Sequence, residues 1–164
     1  MFIEKWKDTA FGSDYGNDFK DFLEETAKKE TLTLAKIYNH CNLKKYFDNT
    51  DLLNHSTDNN VQLENTNFEQ FVHYEDAVIA LSAIIAECEL NGNADLRNAY
   101  GSEILTFEIT KPELAVIKSA LVHIYSHPEK FVLFEMCGEE EKEETLSEIA
   151  EIIEQLENAI TQKP

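Results

Sequence analysis

The chain has 164 residues and a formal net charge of −18 at pH 7, from 32 Asp and Glu against 14 Lys and Arg. Charge of this sign repels nucleic acid and anionic membranes, and it speeds association with basic proteins. The apolar content of 43% and the aromatic content of 10% exclude a disordered acidic tail, which would lack the residues that build a core. The length fits one domain, and we therefore expect a single helical domain over residues 1–164.

Helical periodicity dominates the N-terminal part of the chain. After an irregular start, Ser13 or Asp14 can cap a first helix that runs to about Lys29. Thr31 can cap a second helix, and the apolar pattern of that helix can continue as far as Phe47. The apolar positions of the first helix form one stripe, which indicates a face packed on a core: Tyr15, Phe19, Phe22, Leu23 and Ala27.

Residues 48–67 change character, because Asn, Asp, Ser and Thr are frequent there and apolar residues are sparse. We interpret this segment as one long polar loop and expect it to be mobile. A loop of this length is uncommon in a compact domain and is often functional.

A third helix is predicted from about His73 to Leu90, and it is apolar nearly all round. Such a helix lies in the middle of a bundle, and Asn91-Gly92 is a suitable stop after it. Residues 93–109 are ambiguous. Their alternating apolar residues fit either a short half-buried strand or an extended connection: Leu105, Phe107 and Ile109.

Thr110-Lys111-Pro112-Glu113 is a capping box with Pro in the first turn, and it opens a fourth helix that ends near Pro128. Residues 131–136 are apolar and fit a helix or an extended segment. The last helix is predicted from Glu139 to Ile160, because its apolar residues repeat at alternating spacings of three and four. Together these patterns predict an all-α fold, a single-domain bundle of about five main helices with one long polar loop.

Two clusters of titratable residues invite a catalytic or metal-binding interpretation. His123 and His127 are four apart on a predicted helix, but a zinc site needs further ligands and the HExxH pattern is absent. Asp14, Asp18 and Asp21 lie near the start of a helix, where the dipole favours carboxylates without any function. A small metal- or carboxylate-dependent enzyme is therefore the alternative hypothesis, and we predict no catalytic or metal-binding residue.

Cofactor and redox motifs are also missing from the sequence. Cys41, Cys88 and Cys137 are odd in number and widely spaced, so they give neither a disulfide framework nor a CxxC metal pair. Neither a glycine-rich phosphate loop nor the GxSxG elbow occurs. We predict that the chain uses no cofactor and is not an enzyme.

Two sets of residues are candidates for binding a protein partner. The first, which we call the acidic patch, surrounds the single cation Lys142 and fits either a docking site for a basic partner or a solvated helix start: Glu139, Glu140, Glu141, Glu143 and Glu144. The second comprises whichever aromatic residues flanking the polar loop are exposed: Tyr38, Tyr46, Phe47, Phe68, Phe71 and Tyr74. Aromatic side chains are common anchors at the centres of interfaces.

The N-terminal segment resembles domain-of-unknown-function family 4259. The resemblance rests on a Trp, a Phe five residues later and an acidic segment that opens a helix: Trp6, Phe11, Asp14, Gly16, Asp18 and Phe19. The apolar helix over residues 75–86 resembles the central Ala-rich helix of that family, with Asn91-Gly92 at its usual end. Members of the family are similar to bacterial immunity proteins found beside polymorphic or contact-dependent toxins, and they have no established catalytic activity.

The resemblance implies an immunity protein that binds and neutralises a cognate toxin. Such toxins are often basic nucleases, and an acidic partner suits them electrostatically. An acidic mimic of nucleic acid is a further alternative, and we expect no direct contact with nucleic acid or membrane. Met1–Asp8 lacks the apolar region of a signal peptide, and the apolar stretch over 77–88 is too short to cross a bilayer, so we expect a cytoplasmic protein.

Overall fold

The computed structural model describes residues 2–53, 59–64, 70–135 and 137–164. The fold is mainly α, as predicted. The described helices are α1 (Phe2–Lys5), α2 (Asp14–Ala27), α3 (Leu34–Tyr38), α4 (Leu43–Asp48), α5 (Tyr74–Asn91), α6 (Lys111–Ser126), α7 (Val132–Glu135) and α8 (Glu139–Gln162). The described strands are β1 (Asn60–Leu63), β2 (Gln70–His73), β3 (Ala94–Asp95) and β4 (Ile104–Leu105).

Helix α5 is the centre of the structure. Every residue from Tyr74 to Cys88 is buried, and α1, α2, α6 and α8 all contact this helix. A helix that is apolar nearly all round can bury its whole surface only when other elements surround it, so the predicted central position is confirmed. α5 ends at Asn91, and the φ of 84° at the following Gly92 is the left-handed conformation that glycine adopts without strain.

The other long helices also begin where the sequence predicts. The Ser13 hydroxyl accepts a hydrogen bond from the Gly16 N–H at the start of α2. Thr110 and Glu113 form the predicted capping box of α6. Gly16 is required in α2, because a Cβ atom there would lie 2.6 Å from the carbonyl oxygen of Phe11.

The second predicted helix is not continuous. It is split into α3 and α4, and between them Cys41 forms an isolated antiparallel bridge with Leu63. The prediction that the helical pattern continues to Phe47 is therefore wrong, because residues between the two short helices pair with a distant strand instead of extending the helix.

The segment 48–67, whose polar composition predicts one long loop, contains a strand. β1 pairs antiparallel with β2, with Val61 opposite Val72, and both valines are fully buried. Residues 54–58 and 65–69 lie outside the described residues, so the expected mobility stays a prediction. In the ambiguous segment 93–109, β3 pairs with β4 and a 3-10 helix over Leu96–Asn98 lies between the two strands, while residues 132–135 are helical.

Buried glutamates on α5 satisfy the backbone of two short helices. The Glu87 Oε1 atom accepts a hydrogen bond from the Ile3 N–H in α1 at 3.2 Å. The Glu75 Oε2 atom accepts one from the Leu133 N–H in α7 at 3.0 Å. The first N–H groups of a helix have no partner within it, and a carboxylate is a favourable acceptor there. These contacts fix α1 and α7 to the central helix.

Glu148 on α8 performs the same task for the N-terminal segment. Its Oε1 atom accepts a hydrogen bond from the Phe11 N–H at 3.2 Å, and its Oε2 atom accepts one from the Thr9 hydroxyl at 2.6 Å. Burial raises the pKa of Glu148 to about 7. Burial also raises the pKa of Glu75 to about 7 and that of Asp76 to about 8.

Candidate partner-binding surface

The acidic patch occupies the first turns of α8. All five of its glutamates are exposed, while Lys142 among them is partly buried. α8 begins after Gly138, which supplies no side-chain cap. Carboxylates at this end of a helix are stabilised by the helix dipole whether or not they bind a partner, so exposure alone does not decide between docking and solvation.

The aromatic candidates differ widely in burial. Tyr46 is 3% exposed, and its hydroxyl donates a hydrogen bond to the carbonyl of Asn60. Tyr74 is fully buried. These two rings belong to the core and are not exposed anchors, because α4 and α5 need them for packing.

The remaining candidates are Tyr38, Phe47, Phe68 and Phe71. Phe71 is 39% exposed and stacks on Tyr15, with 6.2 Å between ring centroids. Tyr38 and Phe47 are partly buried, and Phe68 lies outside the described residues. Tyr38, Phe47 and Phe71 are therefore the described aromatic candidates with surface that a partner can reach.

Phe47 lies over a cluster of aromatic rings. Its centroid is 6.2 Å from that of Tyr38 and 6.2 Å from that of Tyr74. Tyr74 in turn lies 5.3 Å from Tyr46 and stacks on Phe131 at 6.2 Å. Edge-to-face and offset arrangements at these distances add to the stability that burial gives. The cluster supports the surface above it with rigid side chains.

A cleft opens above this cluster, between α4 and α6, with a volume of about 250 Å³. We call it the α6 cleft, and its lining is mostly apolar: Phe47, Thr50, Tyr74, Ala115, Val116, Ser119 and Ala120. Tyr74 is one of these lining residues although it is fully buried. Clefts that are apolar with a few polar groups are the usual form of a binding site.

The Tyr74 hydroxyl has no hydrogen-bond partner among the described residues, although it is buried. Burial is also the main reason why the pKa of Tyr74 lies well above its usual value, so the hydroxyl keeps its proton at neutral pH. A buried polar group without a partner is unfavourable. Tyr74, one of the residues that line the α6 cleft, therefore carries a hydrogen-bonding group that the described fold does not use.

The exposed surface of α6 beside the cleft carries little charge. Ala115, Val116 and Ser119 are exposed, and so is Val122 one turn further along. Val116 is 43% exposed, which is a large fraction for a valine. In a chain with a net charge of −18, this uncharged surface is unlike its surroundings.

The acidic patch and the α6 cleft are separate surfaces. Lys118, next to the cleft residue Ser119, lies 3.8 Å from Glu157 on α8. Glu157 lies thirteen positions after Glu144 at the edge of the patch, which is about 20 Å along a helix. That distance exceeds the Debye length of about 8 Å at physiological salt, so the patch acts on a partner at the cleft mainly at low salt.

Residues 2–156 match the family described as Immunity protein 68. The chain belongs to this immunity-protein family. The resemblance to an immunity protein is thus supported, whereas the label of domain-of-unknown-function family 4259 is not confirmed. No curated protein and no solved structure matches the chain.

In this member of the Immunity protein 68 family, the two candidate histidines contact each other. The ring centroids of His123 and His127 are 4.7 Å apart, and a His127 ring nitrogen lies 3.1 Å from the His123 carbonyl oxygen. Among the described residues, no group of three or more His, Cys, Asp or Glu could hold a metal ion. Among the residues that the structure describes, the pair therefore lacks the further ligands that zinc needs.

Two of the three cysteines are unsuited to nucleophilic chemistry. Cys41 and Cys88 are buried, and burial raises the pKa values of their thiols to about 11 and about 12. At neutral pH both remain thiols, whereas the thiolate is the reactive form. Within the described parts of the chain, no helix is long and apolar enough to span a bilayer.

Proposed function

We propose that this chain is an immunity protein that binds a cognate toxin domain in the cytoplasm and blocks it by forming a stoichiometric complex. The observation that carries the proposal is the match to the Immunity protein 68 family, which covers nearly the whole chain. The toxin is proposed to be a basic domain of a polymorphic or contact-dependent system, and its activity is proposed to be that of a nuclease.

Electrostatics supports a basic partner. A net charge of −18 creates a field that attracts cationic proteins and accelerates their encounter, most strongly at low salt. The same field repels nucleic acid, which supports a toxin as the direct partner. The exposed acidic patch at the start of α8 is proposed to guide the approach of the toxin.

Tight binding also requires a desolvated centre, because exposed charge pairs contribute little affinity. Among the described aromatic candidates that a partner can reach, we propose Phe47 and Phe71 as anchors beside Glu139, Glu140, Glu141, Glu143 and Glu144. Inhibition by binding needs no catalytic group, and the proposal is therefore of a protein that is not an enzyme.

A protection assay tests the function. The toxin domain encoded immediately upstream of this chain's gene is expressed in bacteria with and without the chain, and survival is measured. We expect survival only when both are present, together with a one-to-one complex in size-exclusion chromatography. The control is the same toxin expressed together with an unrelated acidic protein of similar charge. The bacteria should then still die.

The outcome also separates the alternatives. If the purified chain neither binds the toxin nor protects against it, the immunity proposal fails. If nucleic acid competes with the chain for one site on the toxin, the chain acts as a mimic of nucleic acid instead of covering another surface.

A further inference from the structure

The α6 cleft has the size and lining of a receptor for one large side chain. Its volume is about 250 Å³, whereas an apolar cavity of about 150 Å³ is enough to hold a benzene ring. Ala115, Val116 and Ala120 supply aliphatic contacts from α6, and Phe47 supplies an aromatic wall from α4. An aromatic side chain from a partner protein would fit this space.

The floor of the cleft gives a reason to expect a polar atom on that side chain. Tyr74 lines the cleft and is fully buried, and its hydroxyl has no partner among the described residues. A phenyl ring would leave this hydroxyl unpaired, whereas a Tyr hydroxyl or a Trp N–H could form a hydrogen bond with it. Recognition of a polar group in an otherwise apolar pocket gives strong discrimination.

The edge of the cleft indicates the charge next to that side chain. Asp48 follows the wall residue Phe47, and Asp51 follows the lining residue Thr50; both acidic residues are exposed. Lys44 contacts Asp48 at 2.5 Å, but such an exposed pair is easily exchanged for another cation. The apolar cleft beside two carboxylates is therefore complementary to an aromatic residue flanked by Lys or Arg.

We propose that the toxin inserts one Tyr or Trp, flanked by a basic residue, into the α6 cleft, where its polar atom pairs with the Tyr74 hydroxyl. This inference rests on the proposed function and adds the site of the anchor and the chemistry of the residue that fills it. The cleft then determines how long the complex lasts, and the acidic patch, about 20 Å away along α8, affects how fast it forms.

The experiment compares two Ser-to-Trp variants on α6. Ser119 lines the cleft, and Ser126 lies two turns further along and outside it; both are exposed. Binding to the upstream toxin domain, made catalytically inactive, is measured by surface plasmon resonance, and folding is measured by thermal denaturation. We expect Ser119→Trp to accelerate dissociation by about tenfold or more, as blocking an anchor pocket does, while Ser126→Trp binds like the wild type.

A third variant tests the hydrogen bond. Tyr74→Phe removes only the unpaired hydroxyl, so the melting temperature should stay the same or rise while dissociation from the toxin accelerates several-fold. If the Tyr74→Phe variant binds like the wild type, the polar part of the proposal is wrong.

The remaining outcomes separate this proposal from the proposed function. If the wild type and Ser119→Trp bind the toxin equally, the cleft is not the anchor site and the immunity function stands. If Ser119→Trp instead changes self-association in sedimentation velocity and leaves toxin binding intact, the cleft holds a second copy of this chain and our assignment is overturned. If the wild type itself does not bind, both proposals fail.

Discussion

Helices α6 and α8 pack against each other and against α5, yet their outer surfaces are opposites. Their inner surfaces are alike, with Ile117 and Leu121 of α6 and Ile149 and Ile152 of α8 fully buried. Outside, α6 exposes alanine, serine and valine along the cleft, whereas α8 exposes glutamates along most of its length. Two helices with the same packing task therefore present different chemistry to solvent.

The contrast between the two outer surfaces separates the residues that the fold requires from those that it does not. Packing accounts for the apolar inner surfaces of both helices, because each must cover α5. It does not account for valines on the exposed surface of α6, since charged residues there would serve solubility better in an acidic chain. The outer surface of α6 is therefore the one whose composition indicates a function. The outer surface of α8 is the reference for it.

The largest expected effect comes from α5, the helix against which both α6 and α8 pack. Replacement of Ile84 on α5, which is fully buried, by Asp should reduce the free energy of unfolding by several kcal/mol, roughly 3–5. A carboxylate would be buried there without a partner. Urea denaturation followed by circular dichroism measures the loss.

Leu90→Asp is the matched control for that variant. Leu90 lies on the same helix but is 56% exposed, so its replacement should change stability by less than about 0.5 kcal/mol. Equal losses of unfolding free energy for the two variants would mean that α5 is not the central support of α6 and α8.

The second prediction is that buried and exposed carboxylates contribute differently to the pH dependence of folding stability. Burial raises the folded-state pKa of Glu75 and Glu148 to about 7 and that of Asp76 to about 8. The folded protein therefore binds more protons than the unfolded chain between pH 5 and pH 7, and stability falls as pH rises through this window. We expect a decrease of at least about 2 kcal/mol across it, measured by denaturation at each pH.

A pair of glutamates on α8 checks the cause. Glu148→Gln removes one of the buried titrating groups and should make the pH dependence shallower, while Glu140→Gln removes an exposed glutamate and should leave it unchanged. Lys20 acts in the opposite direction at higher pH, because burial lowers its pKa to about 8. If the slope between pH 5 and pH 7 is the same in both variants, Glu148 does not titrate in this window.

The sequence predicted the long helices because their signals are local. The capping box at Thr110, the stop at Gly92 and the apolar pattern of α5 all lie within one helix. β1 was missed because its four residues follow a polar stretch, and only pairing with β2 makes Val61 part of the core. Such pairing depends on residues that are distant in the chain, which periodicity does not report.

The candidate site was less predictable for the same reason. Nothing local to Tyr46 or Tyr74 shows that both are covered, since the cover comes from elements elsewhere in the sequence. Glu148 was also missed, because its partners at Thr9 and Phe11 lie near the opposite end of the chain. The available signal for the α6 cleft was the low charge of residues 114–117 and 119–122.

The third prediction concerns a single glutamate, the residue that α8 exposes along most of its length, placed on the outer surface of α6. Val116→Glu puts a carboxylate on the wall of the cleft, at a position that is 43% exposed. Stability should change by less than about 0.5 kcal/mol, while dissociation from the toxin should accelerate about tenfold, which corresponds to about 1.4 kcal/mol. Surface plasmon resonance measures the rate, and unchanged dissociation would show that α6 does not need an uncharged surface.

The smallest expected effect concerns the acidic patch itself. Replacing Glu139, Glu140 and Glu141 together by Gln removes three exposed charges from the first turn of α8. If the patch guides the toxin, association at low salt should slow several-fold, while dissociation stays the same because the anchor lies elsewhere.

The salt dependence makes this last test specific to charge. The difference between the variant and the wild type should shrink as the ionic strength approaches 0.15 M, since the Debye length is then only about 8 Å. Replacing Glu25, Glu108 and Glu154 by Gln is the matched control, because all three are exposed and lie outside the patch, so the same amount of charge is removed elsewhere. Equal slowing by the two triple variants would assign the steering to net charge, and the patch would then be a solvated helix start like any other.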